Sequence, residues 1–230
     1  MSKTRIIESV KRLDVASTRA LLRERPELIG VTDQAGRNLL HIACSASGKK
    51  LKAADTVAVR MATLLLDNGM EIDVPVGRDA CTALFFAVAR ARNPALVKLL
   101  LERGAKVTNA PGGGLFAAGW WEDIDILKIL LRAGAPIEVV EGVTPFLACW
   151  CWKRFDAAQA LALAGANVNY QDGKGKTALH RGLEKDYAPA LLRWLVDHGA
   201  SPDIADRDGV TPRVKASRKR ATKYHSLFEP

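Results

Sequence analysis

Apolar positions along the chain recur at helical spacing in short paired segments rather than in long runs. The stretch from Thr82 to Val107 shows the pattern complete. Ala83, Leu84, Ala87 and Val88 fall on one face of a short helix. Leu96, Val97, Leu99, Leu100 and Leu101 give a second helix a broad apolar face. Asn93-Pro94 separates the two, since proline cannot donate to a helix and disfavours helix in the residue before it. Gly104 stands where a helix ends on a left-handed residue. Two helices of about ten residues cannot hide both apolar faces alone, so the unit needs neighbours.

The chain supplies them. LLLERGA at 99–105 returns as LLLDNGM at 64–70, ILLRAGA at 129–135, LALAGA at 161–166 and WLVDHGA at 194–200. The start of the unit returns as NLLHIA at 38–43, TALFFA at 82–87, TPFLAC at 144–149, TALHRG at 177–182 and TPRVKA at 211–216, with a degenerate GGLFAA at 113–118. Successive starts lie 44, 31, 31, 33 and 34 residues apart. This pattern resembles the ankyrin repeat, with its Thr-Pro-Leu-His-x-Ala start and a period near 33 residues. Thr177-Ala178-Leu179-His180 and the Gly-Ala closures carry the resemblance best. It implies an all-α ankyrin-repeat solenoid of stacked helix-turn-helix units with hairpin-like turns, about five full repeats plus terminal caps.

Read this way, residues 1–230 form a single ankyrin-repeat domain. Residues 1–31 are an N-terminal helical cap, with helices at about 3–12 and in ASTRALLRERP, the second turning Leu13, Ala16, Ala20 and Leu21 inward. Residues 32–75 form a repeat with an inserted basic loop at 45–56, because their spacing exceeds the usual period by about eleven. Repeats follow at 76–108, 109–139, 140–170 and 171–205, and 206–230 holds a partial C-terminal repeat and a basic tail. The repeat at 109–139 departs most: Asn109-Ala110-Pro111-Gly112-Gly113-Gly114 replaces the helix-starting residues and adds flexibility.

Composition narrows the class. With 26% charged and 48% hydrophobic residues, the chain reads as an ordinary soluble protein. No apolar run is long enough to span a membrane, and the charged N-terminus shows no signal peptide. Cys44, Cys81, Cys149 and Cys151 form no Cys-x-x-Cys pair, so neither a zinc site nor a redox pair is suggested. Cys44 and Cys149 sit where the repeat wants small buried residues. A reducing, cytoplasmic setting fits. The net charge is +9, and residues 211–230 hold six cations against one acid, Glu229. Such an end suits nucleic acid, an acidic protein or an anionic surface. It equally suits the polar outer face of a terminal cap.

No catalytic constellation emerges, and neither a cofactor nor a metal is expected. Gly175-Lys176-Thr177 is not a phosphate loop, because the glycine required five residues earlier is Tyr170. Asp172-x-x-Gly175-x-Thr177 instead matches the turn signature of the repeat. His41 and His180 occupy the fixed histidine position, whose ring typically bonds turn backbone in this family. His198 precedes a capping glycine, and His225 lies in the tail. Glu122, Asp123 and Asp125 cluster where a helix opens, which the helix dipole favours. The reading is therefore a non-enzyme.

The resemblance places binding on turn tips and on the outward residues of first helices, along a concave face. Counting seven and eight residues beyond each start gives Ser45 and Ala46, Ala89 and Arg90, Trp120 and Trp121, Cys151 and Trp152, Glu184 and Lys185, and Arg218 and Lys219. The turn tips add Gln34, Arg37, Arg78, Asp79, Val140, Glu141, Lys174, Lys176 and Arg207. Trp120 and Trp121 cannot both face inward, since consecutive helical residues diverge by about 100°. Either they serve as contacts with Trp152, or the glycines at 112–114 rotate the helix and tuck one inside. Trp150 and Trp194 are expected to pack.

The candidate partner-binding residues are thus Trp120, Trp121, Trp152, Arg90, Arg78, Glu184, Lys185, Lys174, Lys176 and Arg207. The expected partner is another protein with an acidic surface and an apolar protrusion. The expected role is an adaptor or inhibitor, toxin-neutralising or effector-like for example, acting as a monomer when free. The alternative is a nucleic-acid-binding protein using the basic tail and the tryptophan-lined face.

Overall fold

In the computed structural model of the chain, the structure describes residues 2–46, 55–109, 111–138, 142–219, 222–224 and 227–228. Most of the inserted loop predicted at 45–56 lies outside these residues, as do Val140, Glu141 and His225. The described residues contain helices and two isolated β-bridges, and no β-strand. They divide into two compact units, Met1–Ala118 with Asp125–Pro136, and Gly119–Ile124 with Ile137–Pro230.

The first unit begins with α1 (Ser2–Lys11) and α2 (Val15–Glu24), followed by α3 (Leu39–Ser45), α4 (Asp55–Asp67), α5 (Ala83–Phe86) and α6 (Pro94–Glu102). First helices pack on first helices, α1 on α3 and α3 on α5. Second helices do the same, α2 on α4 and α4 on α6. Each pair therefore hides its apolar faces against its neighbours. Leu84, Ala87, Val88, Leu96, Val97 and Leu100 are all fully buried. Leu99 and Leu101, expected on the same face, are only half-buried.

In the N-terminal cap the predicted inward face is corrected. Ala16 and Ala20 are exposed, and Thr18, Leu21 and Leu22 face the core. Asp14 caps α2 by accepting from the Ser17 N–H, and the buried Thr18 hydroxyl is satisfied by the Asp14 carbonyl and the Ser9 hydroxyl. A polar side chain with two local partners is stable inside, so periodicity of apolar letters misses it.

In the template repeat, α5 gives way to a π-turn over Ala87–Ala91, and Arg92 closes it in the left-handed region at φ +52°. Asn93 then caps α6, accepting from the Leu96 N–H at 3.1 Å, with Pro94 at the first helical position.

The second unit contains α9 (Pro145–Cys151), α10 (Phe155–Leu163), α11 (Ala178–Glu184), α12 (Pro189–Asp197) and α13 (Pro212–Ser217); α7 (Leu115–Trp121) and α8 (Ile124–Arg132) are divided between the units. The first helices again form a row, α9 on α11 and α11 on α13. Trp150 is fully buried in it. Its indole N–H donates to the Ala178 carbonyl at 2.8 Å, and its ring meets Phe155 and Tyr187 edge to face. The Tyr187 hydroxyl donates to the Trp150 carbonyl, and the Tyr224 hydroxyl donates to the Tyr187 carbonyl. Tyr224, Leu227 and Phe228 are buried, so part of the predicted tail closes the end of this unit.

The repeat's histidine has a definite task. The His180 Nδ1 accepts from the Thr177 backbone N–H at 3.1 Å, which leaves the proton on Nε2 to donate to the Val210 carbonyl at 2.9 Å. One ring thus caps its own helix and holds the next turn. His41 does the same between Asn38 and the Val74 carbonyl in the first unit, and burial pushes its imidazole below the ordinary histidine value. At Thr82 the third residue onward is Phe85, and the buried Thr82 hydroxyl is left without a partner.

Replacing His180 with alanine removes both bonds. We expect a loss of about 2 kcal/mol, from roughly 1 kcal/mol per bond. Urea unfolding at neutral pH measures it, and Phe85→Ala should not mimic it through hydrogen bonding.

Candidate functional site

The turns that carry the predicted tips are built on one device. Asp172 accepts from the backbone N–H groups of Lys174 at 2.8 Å and Lys176 at 3.0 Å, so a single carboxylate oxygen shapes the tip. Asp33 and Asp206 repeat this with Ala35 and Arg37, and with Asp208 and Val210. Gly175 sits at φ +74°, and a Cβ there would lie 2.8 Å from the Arg207 nitrogen, so only glycine fits. The turn at Arg78 lacks the aspartate. There Val76 and Cys81 exchange both backbone hydrogen bonds at 2.9 Å.

Within the second unit the tips and helix ends place the predicted residues as follows. Trp120 and Trp121 are both exposed, at 44% and 46%, so neither is tucked inside. Trp152 follows the last residue of α9 and is 36% exposed. Trp120 and Trp152 meet edge to face, 5.0 Å between centroids, and the Arg154 guanidinium lies 5.6 Å over the Trp120 ring. The ledge is possible because Gly119 packs on Cys149. A Cβ at 119 would stand 2.3 Å from the Cys149 sulfur. Trp194 is half-buried and stacks on His198.

Lys174, Lys185 and Arg207 are exposed. Lys185 donates to the Cys151 carbonyl at 2.7 Å. Glu184 and Lys176 are not open contacts but partners of each other. Glu184 also accepts from Lys215 at 2.9 Å and Arg181 at 3.3 Å. Burial works against the charged form of Glu184, but the hydrogen bonds and charges of Lys176 and Lys215 outweigh it and hold its carboxyl down at about 2. Arg181 also pairs with Asp172. Beside this network a cleft of about 350 Å³ opens between α9, α11 and their turns.

In the first unit, Arg78 and Arg90 are exposed, as are Gln34 and Asp79, and Arg37 pairs with Asp33 at 2.7 Å. Three of the six C-terminal cations are engaged in ion pairs among the described residues. Arg213 pairs with Asp203, Lys215 with Glu184 and Lys219 with Asp186. Counting charges along the sequence missed this, because the acids that pair with these three cations lie up to a repeat away. Burial pushes the Cys149 thiol up to about 12 and raises Cys44 further, as fits packed thiols. Among the described residues no group of His, Cys, Asp and Glu could hold a metal ion, and no helix is long and apolar enough to cross a membrane.

A family model for ankyrin repeats, three copies, matches residues 7–110. The chain has the ankyrin-repeat fold. It superposes on the crystal structure of the ankyrin repeat domain of Bcl-3, described as a unique member of the IkappaB protein family, with a TM-score of 0.78 and 21% identity over 98% of both chains. The human ASB11 ankyrin repeat domain matches with a TM-score of 0.75 and 22% identity, also over 98% of both chains. The nuclear factor NF-kappa-B p105 subunit of Gallus gallus is 26% identical over 220 residues, 92% of this chain and 22% of its own length. The chain spans between 6% and 34% of the length of such curated relatives. Ankyrin repeats are a protein–protein interaction module.

Two outcomes follow from the site's construction. Gly119→Ala should cost about 1–3 kcal/mol through overpacking against Cys149, read by thermal unfolding, with tryptophan fluorescence reporting the displaced ledge. Glu184, held below its ordinary value of 4.5, adds stability that is fully present above that pH and is lost as pH falls through about 2. The stability gap between the natural protein and Glu184→Gln should therefore stay constant down to about pH 4.5 and shrink progressively from there to about pH 2, measured by urea unfolding across pH.

Proposed function

We propose that the protein is a non-catalytic interaction module that holds another protein through the turn tips and first-helix ends. The observation that carries this reading is the exposure of Trp120, Trp121 and Trp152 together in the second unit. Tryptophan is costly to leave in water and is the residue type most enriched at binding hot spots. Lys174, Lys185 and Arg207 add exposed cations to the same unit, while Glu184 and Lys176 pair between the helix and the turn. Arg78 and Arg90 present the corresponding positions in the first unit. The partner is accordingly a protein with an acidic surface and an apolar protrusion.

The role is that of an adaptor or inhibitor, monomeric when free, in the cytoplasm. Four unpaired cysteines support a reducing compartment. A nucleic-acid partner draws less support, because Arg213, Lys215 and Lys219 are held by the chain's own carboxylates.

Affinity capture from native extract tests the reading. The natural protein should retain a partner that the Trp121→Ala/Trp152→Ala double variant releases, with unchanged unfolding of the bait. Retention by the double variant would sink the tryptophan surface. Capture of nucleic acid alone, with affinity falling steeply as salt rises, would replace the reading with the alternative.

A further inference from the structure

The second unit's cleft carries chemistry that the tryptophan ledge does not. Its floor is apolar, with the buried Leu147 beside Val143 and the half-buried Cys151. Its rim is cationic, with Lys174 on the turn, Arg181 on α11 and Lys185 at the C-cap of α11. Among the described residues Asp172 is the one lining acid, and it is already committed to Arg181 and to two backbone N–H groups. Glu184, next to Lys185 in sequence, is committed to Lys176, Lys215 and Arg181. Lys174 forms no ion pair among the described residues, and Lys185 spends its ammonium on a neutral backbone carbonyl. The rim therefore keeps an uncompensated positive charge over an apolar floor.

The tryptophan ledge of the same unit, whose Trp152 follows the cleft residue Cys151 in the chain, constrains the ligand further. An edge-to-face tryptophan pair would suit a cationic head group. Here the chain's own Arg154 takes that place over Trp120, and Lys153 lies over Tyr187. A cationic ligand would meet these charges, and an anionic one would not. The cleft, of about 350 Å³, is shallow and open to solvent, so a ligand there lies along the surface.

We propose that this cleft is a carboxylate subsite for an extended acidic peptide. An Asp or Glu side chain lies between Lys174 and Lys185, and a neighbouring aliphatic or aromatic side chain lies on the Trp120–Trp152 ledge. The proposal rests on the protein-binding reading above and sharpens it: the partner is recognised through an extended acidic segment and not through a folded acidic surface.

A displayed library of random 12-residue peptides, selected on the natural protein, provides the test. Enrichment of Asp or Glu next to Leu, Ile, Phe or Trp is expected. Synthetic versions of the selected peptides should lose at least tenfold in affinity when their acids become Asn or Gln. Lys174→Glu and Lys174→Glu/Lys185→Glu should lose the same peptides, and the double variant should select basic ones. Lys174 sits on an exposed turn tip, so its single variant keeps the test sound if the double variant unfolds. Selection of peptides without acids, equal binding by both variants, or no enrichment would overturn the subsite. Tighter binding of oligo-dT than of any selected peptide, abolished in Lys174→Glu, would overturn it in favour of single-stranded nucleic acid. The broader reading fails separately, if extract capture by the natural protein yields no protein partner.

Discussion

No helix pair in this chain can bury its own apolar surface, and everything else follows from that shortage. Each pair has two short helices and more apolar residues than one interface can hide. The remedy is to lay first helix on first helix and second on second, as α1, α3 and α5 do in one row and α2, α4 and α6 in another. Stability of this kind is a sum of neighbour contacts. It explains why Trp150 and Phe146 are buried in full although each repeat is small.

Polar chemistry adjusts the neighbours that packing brings together. The histidine of one repeat reaches the turn carbonyl of the next, from His41 to Val74 and from His180 to Val210. Glu184 gathers cations from its own turn, its own helix and the following repeat. These groups fix how far one pair sits from the next. That distance sets where turn tips and helix ends stand.

Much of this was legible in the sequence. The period, the Gly-Ala closures and the Asp-x-x-Gly turns locate the helices and make Trp120, Trp121 and Trp152 candidates for the outward face, while the exposure of both Trp120 and Trp121 needed the structure. What stayed hidden has physical causes. The π-turn before Arg92 is an extra residue absorbed inside a helix, which composition does not mark. Thr18 faces inward because its hydroxyl finds two partners nearby. Glu184 and Lys176 look like open surface charges until the fold brings Lys215 beside them. The basic end reads either as a contact surface or as a terminal cap, and the letters alone do not show that Tyr224, Leu227 and Phe228 are buried at the end of the unit.

Between first and second helices the backbone turns left-handed at Arg92, Glu122, Lys153 and Asp186, none of them glycine. Trp121 and Trp152 come just before two of these reversals. A side chain at such a reversal owes its outward course to backbone geometry and not to its own packing. Its identity is then nearly independent of whether the chain folds. A lineage could exchange tryptophan for any other reader there, trying one partner after another, while the buried rows beneath stay unchanged.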